Sequence, residues 1–73
     1  MFSEIQIEVR SIYGNDTYYP LNNLALDIAK IAGTKTLTTH MLRILLGMGF
    51  PIKVYKFIKP NVVPLYDLTE ANL

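Results

Sequence analysis

An α+β domain in the order β-β-α-α-β, followed by an extended tail, is the fold class the sequence predicts, and three observations predict it. Residues 4–10 alternate polar and apolar side chains, the period of a strand half-buried in a sheet. Two later stretches, after Asn22 and after Thr38, carry apolar residues at helical spacing and begin on residue types that cap helices. Residues 52–59 then return to alternation.

In the first strand Ile5, Ile7 and Val9 share one side, because successive strand side chains point to opposite faces, while Glu4, Gln6, Glu8 and Arg10 share the other. Tyr13-Gly14-Asn15-Asp16-Thr17 is turn chemistry, with Gly and Asn tolerant of positive φ. Thr17-Tyr18-Tyr19 is rich in strand formers and pairs back as a hairpin, which Pro20 ends for want of an N–H donor.

Asn22 opens the first helix, whose side-chain oxygen can accept from first-turn N–H groups. Leu24, Ala25, Ile28, Ala29, Ile31 and Ala32 form its apolar stripe, and Gly33 stops it by accepting the left-handed conformation. Thr38 caps the second helix. Met41, Leu42, Ile44, Leu45 and Met48 form its stripe, Gly49 terminates it and Pro51 prevents continuation. In the third strand Ile52, Val54, Lys56 and Ile58 share one face, and Lys53, Tyr55, Phe57 and Lys59 the other. Both faces carry apolar groups, so the second needs a cover from the tail or from a partner. A three-stranded sheet, antiparallel or mixed, with both helices on one face buries all the stripes together. Residues 1–59 are expected as one compact domain. Pro60-Asn61-Val62-Val63-Pro64 forbids helix and disfavours a central strand, so 60–73 reads as an extended tail that need not be ordered when free.

Seventy-three residues leave no room for a second domain. At 51% hydrophobic and 18% charged, the chain is too apolar for intrinsic disorder. The absence of cysteine excludes disulfides and thiolate metal sites, and His40, the sole histidine, excludes His-pair sites. No basic-then-apolar leader opens the sequence, and the longest apolar stretch, 41–52, is broken by Arg43 and Pro51, so no membrane span is expected. Asn15-Asp16-Thr17 matches a glycosylation sequon but has no secretion signal beside it.

Catalysis finds little to work with. His40 has no nucleophile and orienting acid at assignable spacing, and Glu4 and Glu8 read as a solvated strand edge. Gly33-Thr34-Lys35-Thr36 resembles the end of a phosphate loop, but the first glycine is missing and a helix, not a strand, precedes it. No enzyme activity, cofactor or metal is expected. Charge is segregated instead: Lys35, Arg43, Lys53, Lys56 and Lys59 fall in 35–59 without one acid, whereas the flanking segments are each net negative. Such a block steers partners of opposite sign. The two helices also suggest a helix-turn-helix, but Thr39, His40 and Arg43 are few base-reading groups. Tyr55 and Phe57, set between Lys53 and Lys59, suit a packed face, a protein interface or stacked RNA bases.

Ile12-Tyr13-Gly14-Asn15, Tyr19-Pro20, the run from Ile28-Ala29 through Ala32-Gly33-Thr34-Lys35-Thr36-Leu37-Thr38, and Gly49-Phe50-Pro51-Ile52 together resemble small phage and prophage proteins over about two thirds of the chain. In length and layout the chain is further similar to the RNA-polymerase-binding transcription regulators of lytic Xanthomonas phage. That resemblance implies a protein of the host bacterial cytoplasm that binds host RNA polymerase near the amino-terminal end of β′ and the β flap. It implies inhibition of initiation by disfavouring σ-factor engagement, and antitermination at the RNA exit channel, with nascent RNA a further contact. It transfers no contact residues. On charge and placement the expected partner-binding set is Arg10, Lys35, Arg43, Lys53, Tyr55, Lys56 and Lys59. The alternative is a small helix-turn-helix-like DNA-binding regulator.

Overall fold

A computed structural model describes residues 4–73; residues 1–3, the start of the 1–59 domain expected above, lie outside the described residues. Strands β1 (Ile5–Ile12) and β2 (Asn15–Pro20) precede helices α1 (Asn23–Ala32) and α2 (Thr39–Gly47), and strands β3 (Ile52–Ile58) and β4 (Asn61–Asp67) follow. One mixed sheet in the order β2-β1-β3-β4 results, with β1 and β3 parallel at its centre and an antiparallel hairpin on each side.

Both caps form. The Asn22 side chain accepts from the Ala25 N–H at 3.1 Å, and Thr38 Oγ1 accepts from the Met41 N–H at 3.2 Å. Gly33 ends α1 at φ +73°, a conformation that costs an L side chain strain. Asn22 does more than cap: its Oδ1 also accepts from the Gln6 N–H at 3.2 Å and its Nδ2 donates to the Glu4 carbonyl at 2.6 Å. The start of α1 is thereby stitched to β1.

The helices cover one sheet face, and the core lies between the layers. Ile5, Ile7, Ile52 and Val54 from the sheet meet Ala25, Ala29, Leu42 and Leu45 from the helices. Leu37, in the connector between the helices, bonds back to the Tyr18 carbonyl and joins this core. Helices of nine or ten residues are marginal alone, so this burial holds them.

Three expectations are corrected. The sheet has four strands, because residues 61–67 do not trail away but pair antiparallel with β3. Pro64 is tolerated because β4 is an edge strand and because a bulge, opposite the Val54–Tyr55 step, interrupts the register beside it. Beyond β4 the Leu68 N–H donates to the Ile52 carbonyl at 2.8 Å and its side chain enters the core, while a short 3-10 turn, Glu70–Asn72, brings Leu73 against it. Second, β1 is a central strand, so Glu8 is buried (6% exposed) rather than on a solvated edge. Third, the helical stripes are only partly consumed by the core: Ile31 is 87% exposed, Met48 64% and Ile44 50%.

Candidate functional site: the uncovered sheet face and its cleft

Residues in register on neighbouring strands share a face, so the pairing fixes what the uncovered side of the sheet displays. Glu8 stands between Tyr19 of β2 and Tyr55 of β3, Arg10 opposite Thr17, Gln6 beside Lys53, and Lys53 opposite Asp67. Farther along β3, Tyr55 lies opposite Pro64 and Phe57 opposite Val62. No helix crosses these side chains, because both helices are spent on the other face. The tail, expected as one possible cover, extends the sheet sideways instead.

The face is electrostatically closed over its centre. Arg10 Nη2 donates to Glu8 Oε1 at 3.0 Å, and the guanidinium carbon lies 4.1 Å from the Tyr19 ring centroid. A buried carboxylate demands such a partner, and a cation over an aromatic face gains further attraction. The bond to Glu8 raises the Arg10 pKa above its ordinary value against the opposing effect of desolvation. Lys53 Nζ reaches Asp67 Oδ1 at 3.9 Å, a looser and more solvated pair of small worth. What remains presented is apolar: Phe57 is 51% exposed, with Val62 beside it.

Next to Phe57 the sheet opens. The β1–β3 pairing ends at Glu8 and Tyr55, beyond which each strand follows its own twisted hairpin and the two diverge. Val9, Arg10, Ser11, Lys56 and Phe57, with Glu8 at the base, line a cleft of about 440 Å³. Backbone groups alternate sides along a strand; the Ile5 N–H bonds Pro51 toward β3, so Val9 and Ser11 turn their peptide groups the same way. In the cleft the inward peptide groups of Ser11 and Phe57 have no strand partner across the gap. The cleft thus sits outside the carboxyl ends of two parallel strands whose chains leave in opposite directions, the position where open sheets collect ligands.

Of the expected contact residues, the structure gathers Arg10, Lys53 and Tyr55 on the uncovered face and brings Lys56 to the cleft from the other side of β3. Lys59 stands in the β3–β4 turn. Lys35, in the connector, and Arg43, on α2, belong to the helical layer and do not join this face. Sequence reasoning missed Glu8, Tyr19, Val62 and Pro64. The alternation Glu8-Arg10 on β1 was visible, but their neighbours follow only from register. His40 is exposed on α2, and among the described residues no three His, Cys, Asp or Glu side chains cluster to hold a metal ion. No helix among the described residues is long and apolar enough to cross a membrane.

No protein-family model, curated protein or solved structure matches the chain.

Proposed function

We propose that this chain is a non-catalytic binding protein that acts by covering a surface of a larger partner, and that the partner is bacterial RNA polymerase. The observation that carries the first half is the uncovered four-stranded face: its central charges pair as Arg10–Glu8 and Lys53–Asp67, it presents Phe57 and Val62 to solvent, and its cleft exposes unpaired peptide groups. Such a surface offers shape, apolar area and main-chain hydrogen bonds rather than reactive groups, and exposed strand backbone is a common acceptor for an extended segment of a partner. The second half rests on the resemblance in length and layout to phage regulators that bind RNA polymerase, within the broader likeness to small phage proteins carried by Tyr19-Pro20 and the Ala32-to-Thr38 string. In this reading the protein works in the host cytoplasm. Seating the face near the amino-terminal end of β′ and the β flap hinders σ engagement and suppresses initiation. Continued residence there, beside the emerging transcript, favours antitermination.

The test mixes purified chain with core polymerase and with holoenzyme from a bacterial host, followed by promoter-dependent transcription. Co-elution with polymerase and loss of initiation are expected, both weakened by Phe57→Asp and unaffected by Lys35→Glu. Absence of a complex at micromolar concentration rejects polymerase as the partner. A complex indifferent to Phe57→Asp rejects the face.

A further inference from the structure

The cleft between β1 and β3 has two sides that differ in chemistry. Side chains alternate across a strand, so Glu8, Arg10 and Phe57 line it on the uncovered face, whereas Val9, Ser11 and Lys56 line it on the helical face. On the uncovered side Arg10 and Glu8 neutralise one another at 3.0 Å, and Phe57, 51% exposed, is what remains. On the helical side Lys56 is the only charged residue that lines the cleft. The ion pairs among the described residues are Arg10–Glu8 and Lys53–Asp67, so the Lys56 ammonium has no carboxylate partner there. Asp16, opposite Ser11, lies one strand farther out and does not line the cleft. Between the two sides stand the unpaired peptide groups of Ser11 and Phe57.

We propose that the cleft takes an extended segment of a partner protein that carries an acidic side chain directly beside an apolar one. The main-chain groups of an extended segment point alternately to its two edges, so one residue bonds to Ser11 while its neighbour bonds to Phe57. Its side chains alternate between the two faces, which sets one against Phe57 and the next against Lys56. The cleft therefore selects both: an apolar side chain where the charges are already paired, and a carboxylate where the ammonium is open. A nucleic-acid strand fits less well, because it has no alternating amides and carbonyls to offer the two strands and its phosphates call for several cations where Lys56 alone is unpaired. This inference rests on the reading of the cleft as an acceptor of a partner's main chain and names the side chains that the acceptor selects; it does not need the partner to be polymerase.

The experiment follows the full chain through its backbone amides by NMR during titration with end-blocked pentapeptides. The reference peptide is Thr-Val-Glu-Val-Thr. A second replaces the glutamate with lysine, and a third keeps the glutamate but N-methylates it and the valine after it, so that neither edge donates there. The reference peptide is expected to saturate, shifting Ser11, Lys56 and Phe57, and to loosen as salt is raised. The lysine peptide binds about fivefold more weakly or worse, as an attraction becomes a repulsion, and the methylated peptide does not saturate. Lys56→Glu reverses the preference between glutamate and lysine, which a merely structural role for Lys56 would not do. Because Lys56 is exposed, this variant keeps the fold, which its unchanged thermal midpoint verifies. Failure of the reference peptide to saturate at millimolar concentration, equal binding of the lysine peptide, or equal binding of the methylated peptide each overturns the proposal. If polymerase still co-elutes with the chain in that event, the reading of the face stands without it; if the reference peptide binds as expected and polymerase does not, only polymerase is lost as the partner.

Discussion

Replacing Tyr13 with asparagine should make this protein more stable. Tyr13 and Gly14 form the two-residue turn of the β1–β2 hairpin, and both have positive φ, +52° and +80°. Such turns match the twist of the strands and favour Asn-Gly. A tyrosine in the left-handed region sets its Cβ against its own carbonyl, at a cost of roughly 1–2 kcal/mol, whereas asparagine visits that region readily. The usual compensation, burial of the ring, is missing, since Tyr13 is 99% exposed. Tyr13→Asn therefore relieves strain and loses no packing. The expected gain is about 0.5–1 kcal/mol, which for a domain of this size is a rise in thermal midpoint of roughly 2–8 °C. Urea denaturation followed by circular dichroism measures it, with the slope unchanged. Tyr13→Val, β-branched and worse in this region, should move the midpoint the other way. A lower midpoint for Tyr13→Asn, or a changed slope, would refute the reasoning by showing that the ring makes contacts in the folded or unfolded chain.

Three further outcomes follow from the packing and the caps. Asn22→Ala removes a cap and two bonds to β1 together and should cost about 2 kcal/mol, more than a cap alone; Asn22→Asp, which keeps the acceptor but loses the donation to the Glu4 carbonyl, should fall between. Leu68→Ala opens a hole beside Ile52 and should cost about 2–4 kcal/mol in urea, with β4 amides exchanging faster, whereas a loosely attached tail would show no change. Burial first, then the neighbouring Tyr66 and Asp16, raise the Tyr18 pKa above its ordinary value of 10.0. A raised folded pKa means that the native state holds its proton longer than the unfolded chain. Stability contributed by the neutral phenol is complete below the ordinary value and falls as pH climbs through the raised one. Alkaline unfolding should be shallower in Tyr18→Phe, and an identical pH profile for the two proteins would contradict this.

The local parts of this fold were legible in the sequence and the long-range parts were not. Asn22, Gly33 and Thr38 announce helix ends through their own chemistry, and the structure uses all three as the spacing requires. The β1–β2 hairpin follows from alternation in β1, turn chemistry after it and the strand formers Thr17-Tyr18-Tyr19, although the turn is only Tyr13-Gly14 and Asn15 and Asp16, expected in it, already pair with Ile12 and Ser11. Nothing local says that Ile5 lies beside Ile52, because a parallel pair is closed by the whole intervening chain. That one pairing makes β1 central, buries Glu8 and creates the cleft. Pro60 and Pro64 concealed β4, since a proline demotes a strand unless an edge position and a bulge excuse it. Tyr55 and Phe57 were recognised as a face needing a cover. Their neighbours Tyr19 and Val62 became visible only with the register. The helical stripes were read as core, but a small sheet cannot cover all of two amphipathic helices, and Ile31 and Ile44 were left outside.

Amide hydrogen exchange of the chain, alone and in the presence of bacterial RNA polymerase, tests the central claim most directly. The inward amides of Ser11 and Phe57, with no strand across the cleft, should exchange quickly in the free protein and become protected once polymerase is added. Unchanged exchange along β1 and β3 at saturating polymerase would contradict the account, wherever else protection appeared.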